Sequence, residues 1–300
     1  MNDQRTVVVT GATGGQGGAV CEALLAAGQR VRGYVRSPDA PAARQLRAAG
    51  AELAAGTFDD GDALRRALDG ADAAYVMGTP WEEGTAGEQR QVRSVLAACE
   101  AAGVGHVIYS SAANADRGTG IAWYEAKFEL ETDLAGGGYG FDWTIVAPAV
   151  FMQILRAPHA LQGLRSGVLA MAVPAEHVQT WIDVRDIGSF VAHVIDRPAP
   201  WLGQRVDLAA DKVAGADVAR HLSRAAGREI RYQQIPLETI AEFNKDIAEM
   251  YEWFGRVGMS VDVAALHART PEVRWTAFAE WADREDWSVL DQPPAAPAWG

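Results

Sequence analysis

Between residues 7 and 20 the chain reads VVVTGATGGQGGAV, and glycine takes five of the eight positions from Gly11 to Gly18. The spacing Gly11-x-x-Gly14-x-x-Gly17 follows a run of valines and precedes an apolar, helix-like stretch. Glycines in that setting let backbone amides and a helix N-terminus approach an anion, and the anion that fits is the pyrophosphate of a dinucleotide. A ligand-free turn between strand and helix needs one or two glycines, not five. Some 20 residues further on, where an NAD-binding chain puts a carboxylate on the ribose hydroxyls, stands Arg36 in GYVRSP. A guanidinium holds a 2′-phosphate through paired hydrogen bonds and a carboxylate repels one, so Arg36 points to NADP(H). The alternative leaves Arg36 solvated and Asp39 on the ribose, although Asp39 also reads as the cap of the next helix.

A third group lies on the helix expected over 121–135. A phenol one helical turn before a lysine can move a proton, because the ammonium lowers the phenol pKa. Lys127 is present, but four residues before it stands Trp123, which has no acidic proton. Tyr124 is three residues before Lys127, about 100° around the helix from Trp123. The chain has three lysines (Lys127, Lys212 and Lys245) against 24 arginines, so a lysine here is unusual by chance. Its plain alternative is a surface pair with Glu131 at i+4. Ser110 and Ser111 close the fifth strand, where either hydroxyl can bond a carbonyl oxygen or satisfy local backbone.

These residues depend on alternating elements. Short β-branched runs (RTVVVT, RVRGYVR, AELAAGT, ADAAYVMG, HVIYSSA, DWTIVAP) alternate with amphipathic stretches at 16–28, 39–49, 59–69, 86–102 and 121–135. That alternation predicts an α/β fold, βαβ units on a doubly wound parallel sheet. Gly28, Gly50, Gly70 and Gly103 stand where helices should stop. Beyond residue 150 the pattern loosens: a strand or turn and a helix in QTWIDVRDIGSFVAHVIDRP, a strand in RVDLAA, a helix over 215–227, a strand in EIRYQQIP and one long helix over about 237–256. The stripe Ile240, Phe243, Ile247, Met250 and Phe254 on that helix reads as a core face.

In this order and spacing GATGGQGGAV, VRGYVRSP, AAGTFDD, YSSAAN, WYEAKFELETDL and WTIVAPAVFMQIL resemble the NmrA-like family of atypical short-chain dehydrogenases/reductases. DIAEMYEWFGRVGMSVDVAAL resembles that family's final helices, so the likeness runs over nearly the whole chain. The resemblance implies an extended Rossmann fold: an NADP-binding domain over 1–152 and a smaller, mainly substrate-binding α/β part over 153–290, some of whose elements return to the sheet. A loose Pro/Ala-rich tail is expected over 291–300.

Carried over, Gly11, Thr13, Gly14, Gln16 and Gly17 hold the pyrophosphate and Arg36 the 2′-phosphate. Thr57, Phe58 and Asp59 lie along the adenine, although the family often has Asp at the position of Thr57. Gly78, Thr79 and Pro80 pass the ribose, Lys127 binds its hydroxyls, and Pro148, Val150 and Phe151 approach the nicotinamide. Trp81, Trp123, Phe151 and Met152 are the expected substrate contacts, and Lys127, Ser110, Ser111 and Tyr124 the catalytic candidates. Absence of the usual tyrosine is a departure shared with NmrA-like proteins.

Composition limits the partners. A net charge of −12 opposes direct nucleic-acid binding, which gains affinity from clustered Lys and Arg. No run approaches the length of a membrane span, MNDQRTVVV has no basic segment ahead of a long apolar one so that no export signal is expected, and Cys21 and Cys99 fit a reducing cytoplasm. The six histidines show no metal-ligand spacing. Seven of the ten tryptophans lie beyond residue 180 and offer flat walls to an aromatic substrate, or simply core. Two functions lead: an NADPH-dependent reductase of a small apolar or aromatic, quinone-like or conjugated carbonyl substrate, or an NADP(H)-binding redox sensor or regulator without turnover; a lyase or isomerase would use the same groups and ranks behind them. A homodimer or a regulatory protein partner is compatible with either.

Overall fold

The computed structural model describes residues 4–259 and 261–292. Its strands are β1 (Thr6–Val9), β2 (Arg30–Val35), β3 (Glu52–Ala55), β4 (Ala73–Val76), β5 (His106–Ser110), β6 (Asp142–Pro148), β7 (Val150–Phe151), β8 (Val168–Met171), β9 (Val178–Ile182), β10 (Gln204–Leu208), β11 (Asp211–Ala214) and β12 (Arg231–Gln234). Its helices are α1 (Gly15–Ala26), α2 (Pro41–Ala48), α3 (Gly61–Leu68), α4 (Gly84–Ala102), α5 (Ala122–Ala135), α6 (Pro158–Arg165), α7 (Val184–Asp196), α8 (Gly215–Ala226), α9 (Leu237–Phe243), α10 (Lys245–Val257), α11 (Val263–Arg269) and α12 (Phe278–Arg284). Two compact units result, one of residues 1–148, 184–208 and 267–274, the other of 149–183, 209–266 and 275–300.

The first unit holds a seven-stranded sheet, among the described residues, in the order β10-β6-β5-β4-β1-β2-β3. Every pairing in it is parallel, so all strands end on one edge. This is the doubly wound Rossmann-type α/β sheet that the alternation predicts. Strands covered on both faces can be apolar throughout, and β4 (Ala-Ala-Tyr-Val) is buried at every position. On one face Val8, Ala74, Val76, Val107 and Tyr109 pack with Leu64, Leu68, Val92, Leu96 and Leu130 of α3, α4 and α5. Each such aliphatic side chain contributes roughly 1.5–3 kcal/mol of burial. The other face takes α1, along which α7 packs.

The stop glycines Gly28, Gly50, Gly70 and Gly103 all have positive φ. Asp39 does not cap α2: Pro41 opens the helix after Ala40, and no side chain caps it. Proline at the first position, whose missing N–H would have no helical partner, replaces the need for a polar cap there.

The second unit has β9 between β11 and β7, and a separate parallel pair of β8 and β12. Its core is aromatic: Trp181 meets Phe278 at 5.4 Å, Phe278 meets Trp281 at 5.5 Å, and Trp281 meets Trp287 at 5.8 Å between ring centroids. These tryptophans are buried, as is Trp253, so they build core rather than exposed walls. The long helix expected over 237–256 is two helices, because Asn244 is extended (φ −157°, ψ 106°) and caps the second through Oδ1, which accepts from the Ile247 amide. Phe254 of the expected stripe is buried, whereas Ile247 and Met250 are half-buried. Of the expected tail, Asp291 closes a short 3-10 helix that begins at Trp287, and 293–300 lie outside the described residues. Among the described residues no helix is long and apolar enough to cross a membrane.

Candidate functional site

At the C-terminal edge of the parallel sheet, Thr10 ties two strand ends together. Its hydroxyl donates to the Met77 carbonyl (3.0 Å) and accepts from the Met77 amide (2.8 Å). Gly11 then turns with φ +64°, and the Gly14 amide donates back to its carbonyl at 2.9 Å. A Cβ on Gly17 would lie 2.3 Å from that same oxygen, so only glycine lets α1 start this close to the turn. The helix begins behind Gly14 with no side-chain cap and no acidic residue in its first turn, and Thr13, Gly14 and Gly15 are exposed. A bare helix start with room around Gly15, where a Cβ would meet nothing within 4 Å, fits the pyrophosphate of a dinucleotide.

Gln16 faces inward. Its Nε2 donates to the Tyr75 hydroxyl (2.6 Å) and to Ser110 Oγ (2.7 Å), which joins the first turn of α1 to the ends of β4 and β5. Burial pushes the Tyr75 phenol well up, so it stays protonated at any working pH. Sequence reading missed Thr10 and Tyr75, since a threonine and a tyrosine in apolar strands look like ordinary strand residues.

Ser111 points into charge. Its hydroxyl donates to Glu131, which also accepts from Arg205 Nε at 2.7 Å. Arg205 further bonds Asp207 (2.7 Å) and the Ala112 carbonyl (3.1 Å) and lies 3.4 Å from Asp116. Burial raises the carboxyls of Glu131 and Asp207 above their ordinary values, and Arg205 pulls both back. Nearby, Asn114 is buried in the left-handed region (φ 67°), a backbone state uncommon outside glycine.

Lys127 bonds Glu88 at 2.5 Å rather than Glu131. The Glu88 side chain is 1% exposed and the Lys127 side chain 19%. Glu88 comes from the first turns of α4, 39 residues away, a distance no helical spacing rule reaches. Trp123 is half-buried, while Tyr124 is buried and its hydroxyl pushed up by that burial.

The remaining candidates fall into two groups. Arg36, Thr57 and Asp59 are exposed, and Phe58 is half-buried against Tyr34. Arg36 pairs with Glu82 at 2.6 Å, and the Tyr34 hydroxyl donates to the Thr57 carbonyl at 2.7 Å. Gly78 to Pro80 are half-buried, the Thr79 amide donates to Gln91, and Trp81 stands 90% exposed. Pro148 ends β6 and accepts from the Ala113 amide. Val150 and Phe151 belong to the second unit, where they pair with Trp181 and Ile182, and Met152 beside them is fully buried. A cavity of about 310 Å³ lined by Leu134, Tyr139, Phe141 and Trp143 opens at the start of β6, the edge opposite the glycine turn. Another of about 330 Å³ lies in the second unit beside Pro174, Ile235 and Tyr251.

A model of the NmrA-like family matches residues 3–282. An NAD(P)H azoreductase of Xenophilus azovorans is 32% identical over 234 residues, 77% of this chain and 78% of that protein. The crystal structure of Citrobacter sp. triphenylmethane reductase with NADP(H) superposes with a TM-score of 0.77 at 19% identity, covering 93% of this chain and 99% of that one. NmrA, a negative transcriptional regulator, in complex with NADP gives 0.75 at 20% identity over 94% and 95%. At such identities the two structures speak for the fold.

Proposed function

The chain belongs to the NmrA-like family, with its NAD(P)-binding Rossmann-type fold, and we propose that it is an NADPH-dependent reductase transferring hydride to a small apolar or aromatic, quinone-like or conjugated carbonyl acceptor. The azoreductase relative supports reduction of a conjugated, electron-poor group. The observation that carries the reading is the Gln16–Ser110 bond, which makes the bare start of α1 and the end of β5 one rigid edge. Bound there, NADPH supplies a hydride from its nicotinamide ring.

The chain's own residues divide the remaining work. Arg36 holds the 2′-phosphate, and the amides behind Gly14 hold the pyrophosphate. Lys127, anchored by Glu88, offers its ammonium to the ribose hydroxyls, and Ser110 offers a hydroxyl to the acceptor oxygen, since that of Ser111 is given to Glu131. No phenol stands one turn before Lys127, so an acceptor that stabilises the transferred electron pair and takes its proton from water suits this edge.

To test this, purified protein is given NADPH and the nicotinamide absorbance is followed on adding quinones, azo dyes, enals and imines. Rapid loss with one class establishes the reductase and its substrate chemistry. Tight NADPH binding with no loss in any class favours a second reading, an NADP(H)-responsive regulator, to which Trp123 and the buried Tyr124 lend support.

A further inference from the structure

The loop between β4 and α4 reads Thr79-Pro-Trp-Glu-Glu-Gly84 and carries two consecutive acids. Both are engaged with arginines: Glu82 with Arg36 at 2.6 Å, and Glu83 with Arg90, which also lies 3.8 Å from Asp59. In the sheet β1 lies between β4 and β2, so the Glu82–Arg36 pair joins the segments that leave the two strands flanking β1. The strand it straddles is the one that feeds the glycine turn. Arg36 is thus not a free cation waiting beside the cradle. Its guanidinium already has an anion, supplied by the loop that exposes Trp81.

We infer that Glu82 is a specificity-determining residue, an internal counter-anion that a nucleotide 2′-phosphate must displace from Arg36. The inference rests on the assignment of Arg36 to that phosphate. With side chains 68% and 57% exposed, the pair is weak and exchanges easily. A phosphate monoester brings a charge of about −1.5 to −2 and three acceptor oxygens, so it wins the guanidinium but at a discount set by Glu82. A 2′-hydroxyl has no charge to compete with. NAD(H) therefore leaves the Glu82–Arg36 pair in place. Glu82 lowers affinity for NADP(H) selectively and narrows the preference that Arg36 creates, and NADP(H) alone releases the Trp81 loop from β2.

The test is isothermal titration of NADPH, NADH and the fragments adenosine 2′,5′-bisphosphate and 5′-AMP into the full chain, the E82Q and R36Q variants, and the double variant. In E82Q, NADPH and the bisphosphate should bind about two- to fivefold more tightly, the size of an exposed ion pair, while NADH and 5′-AMP do not gain. In the R36Q background the E82Q change should have no effect on any of the four. R36Q alone should weaken NADPH and the bisphosphate but not NADH or 5′-AMP; where it does, equal gains for phosphorylated and unphosphorylated nucleotides in E82Q, no gain for either, or a gain that persists without Arg36 would overturn the inference and leave the Arg36 assignment intact, and where it weakens neither, the assignment falls and the inference with it. Failure of the full chain to bind any of the four ligands would overturn both.

Discussion

Ser110 and Ser111 are neighbours at one strand end, yet they face opposite sides of the sheet and opposite kinds of chemistry, as successive residues of a strand must. Ser110 joins a neutral set, Gln16 and Tyr75, on the side of α1. Ser111 joins Glu131, Arg205, Asp207 and Asp116, three carboxylates about one guanidinium, on the side of α5. The difference shows how an anion site can be built in a chain of net charge −12. The face proposed for the pyrophosphate is fixed by uncharged hydrogen bonds, so the helix start is not opposed by a local carboxylate. The acids that brace the same strand end lie behind the sheet.

If that contrast holds, the charged side should be the fragile one. Arg205→Met leaves Glu131, whose side chain is 4% exposed, without its cation, and should cost about 3–5 kcal/mol in urea unfolding. A loss below about 1 kcal/mol would mean that the cluster is solvated and that the two faces do not differ. The same cluster has a pH signature. Burial holds Glu131 and Asp207 above their ordinary values, so the folded chain retains protons that the unfolded chain releases. Its contribution to stability therefore falls as pH rises from the ordinary carboxylate range through the raised values.

How far these features are legible in sequence depends on the distance over which they are made. The glycine turn, the alternating strands and the stop glycines are local, so their types and spacing are diagnostic. Partners are not local. Lys127 has a plausible acid one turn away in Glu131, but Glu131 is taken by Arg205 from 74 residues on, and Lys127 turns to Glu88. Glu82 carries no motif, and only the sheet order brings its loop to Arg36. The break at Asn244 was hidden because the apolar stripe continues in helical register across it. In the second unit short elements such as β7 and α12 are set by packing around the tryptophan core rather than by a repeating pattern.

The lower end of the same strand gives a second and opposite pH effect. His106 Nε2 bonds Thr144 Oγ1 at 2.9 Å, and that hydroxyl donates to the Trp201 carbonyl, so it must accept from the His106 Nε2–H. Burial, reinforced by Arg5 and opposed by Asp142, lowers the His106 pKa from 6.5 to about 4. The unfolded chain takes up a proton below pH 6.5 that the folded chain refuses until about pH 4, so stability falls as pH drops through that interval. At about 1.4 kcal/mol per pH unit the full effect is on the order of 3 kcal/mol. Urea midpoints for the parent and His106→Gln between pH 7 and pH 4 measure it; parallel curves would show that the ring does not titrate as its burial demands.

The smallest expected effect tests the neutral face itself. Ser110→Ala removes one acceptor of the Gln16 amide and leaves the other, the Tyr75 hydroxyl, so the loss should be about 1 kcal/mol, as for a neutral hydrogen bond. Because Tyr75 stays protonated and Gln16 carries no charge, the loss should be the same at pH 5 and pH 8. Ser111→Ala removes a hydroxyl from a buried carboxyl whose pKa is raised, so its cost should change with pH as that carboxyl titrates above its ordinary range. A Ser110→Ala loss that varies with pH as strongly as that of Ser111→Ala would show that charge reaches the α1 side of the sheet. The field at the helix start would then be made partly by side chains, and the glycine turn alone would not account for where the anion sits.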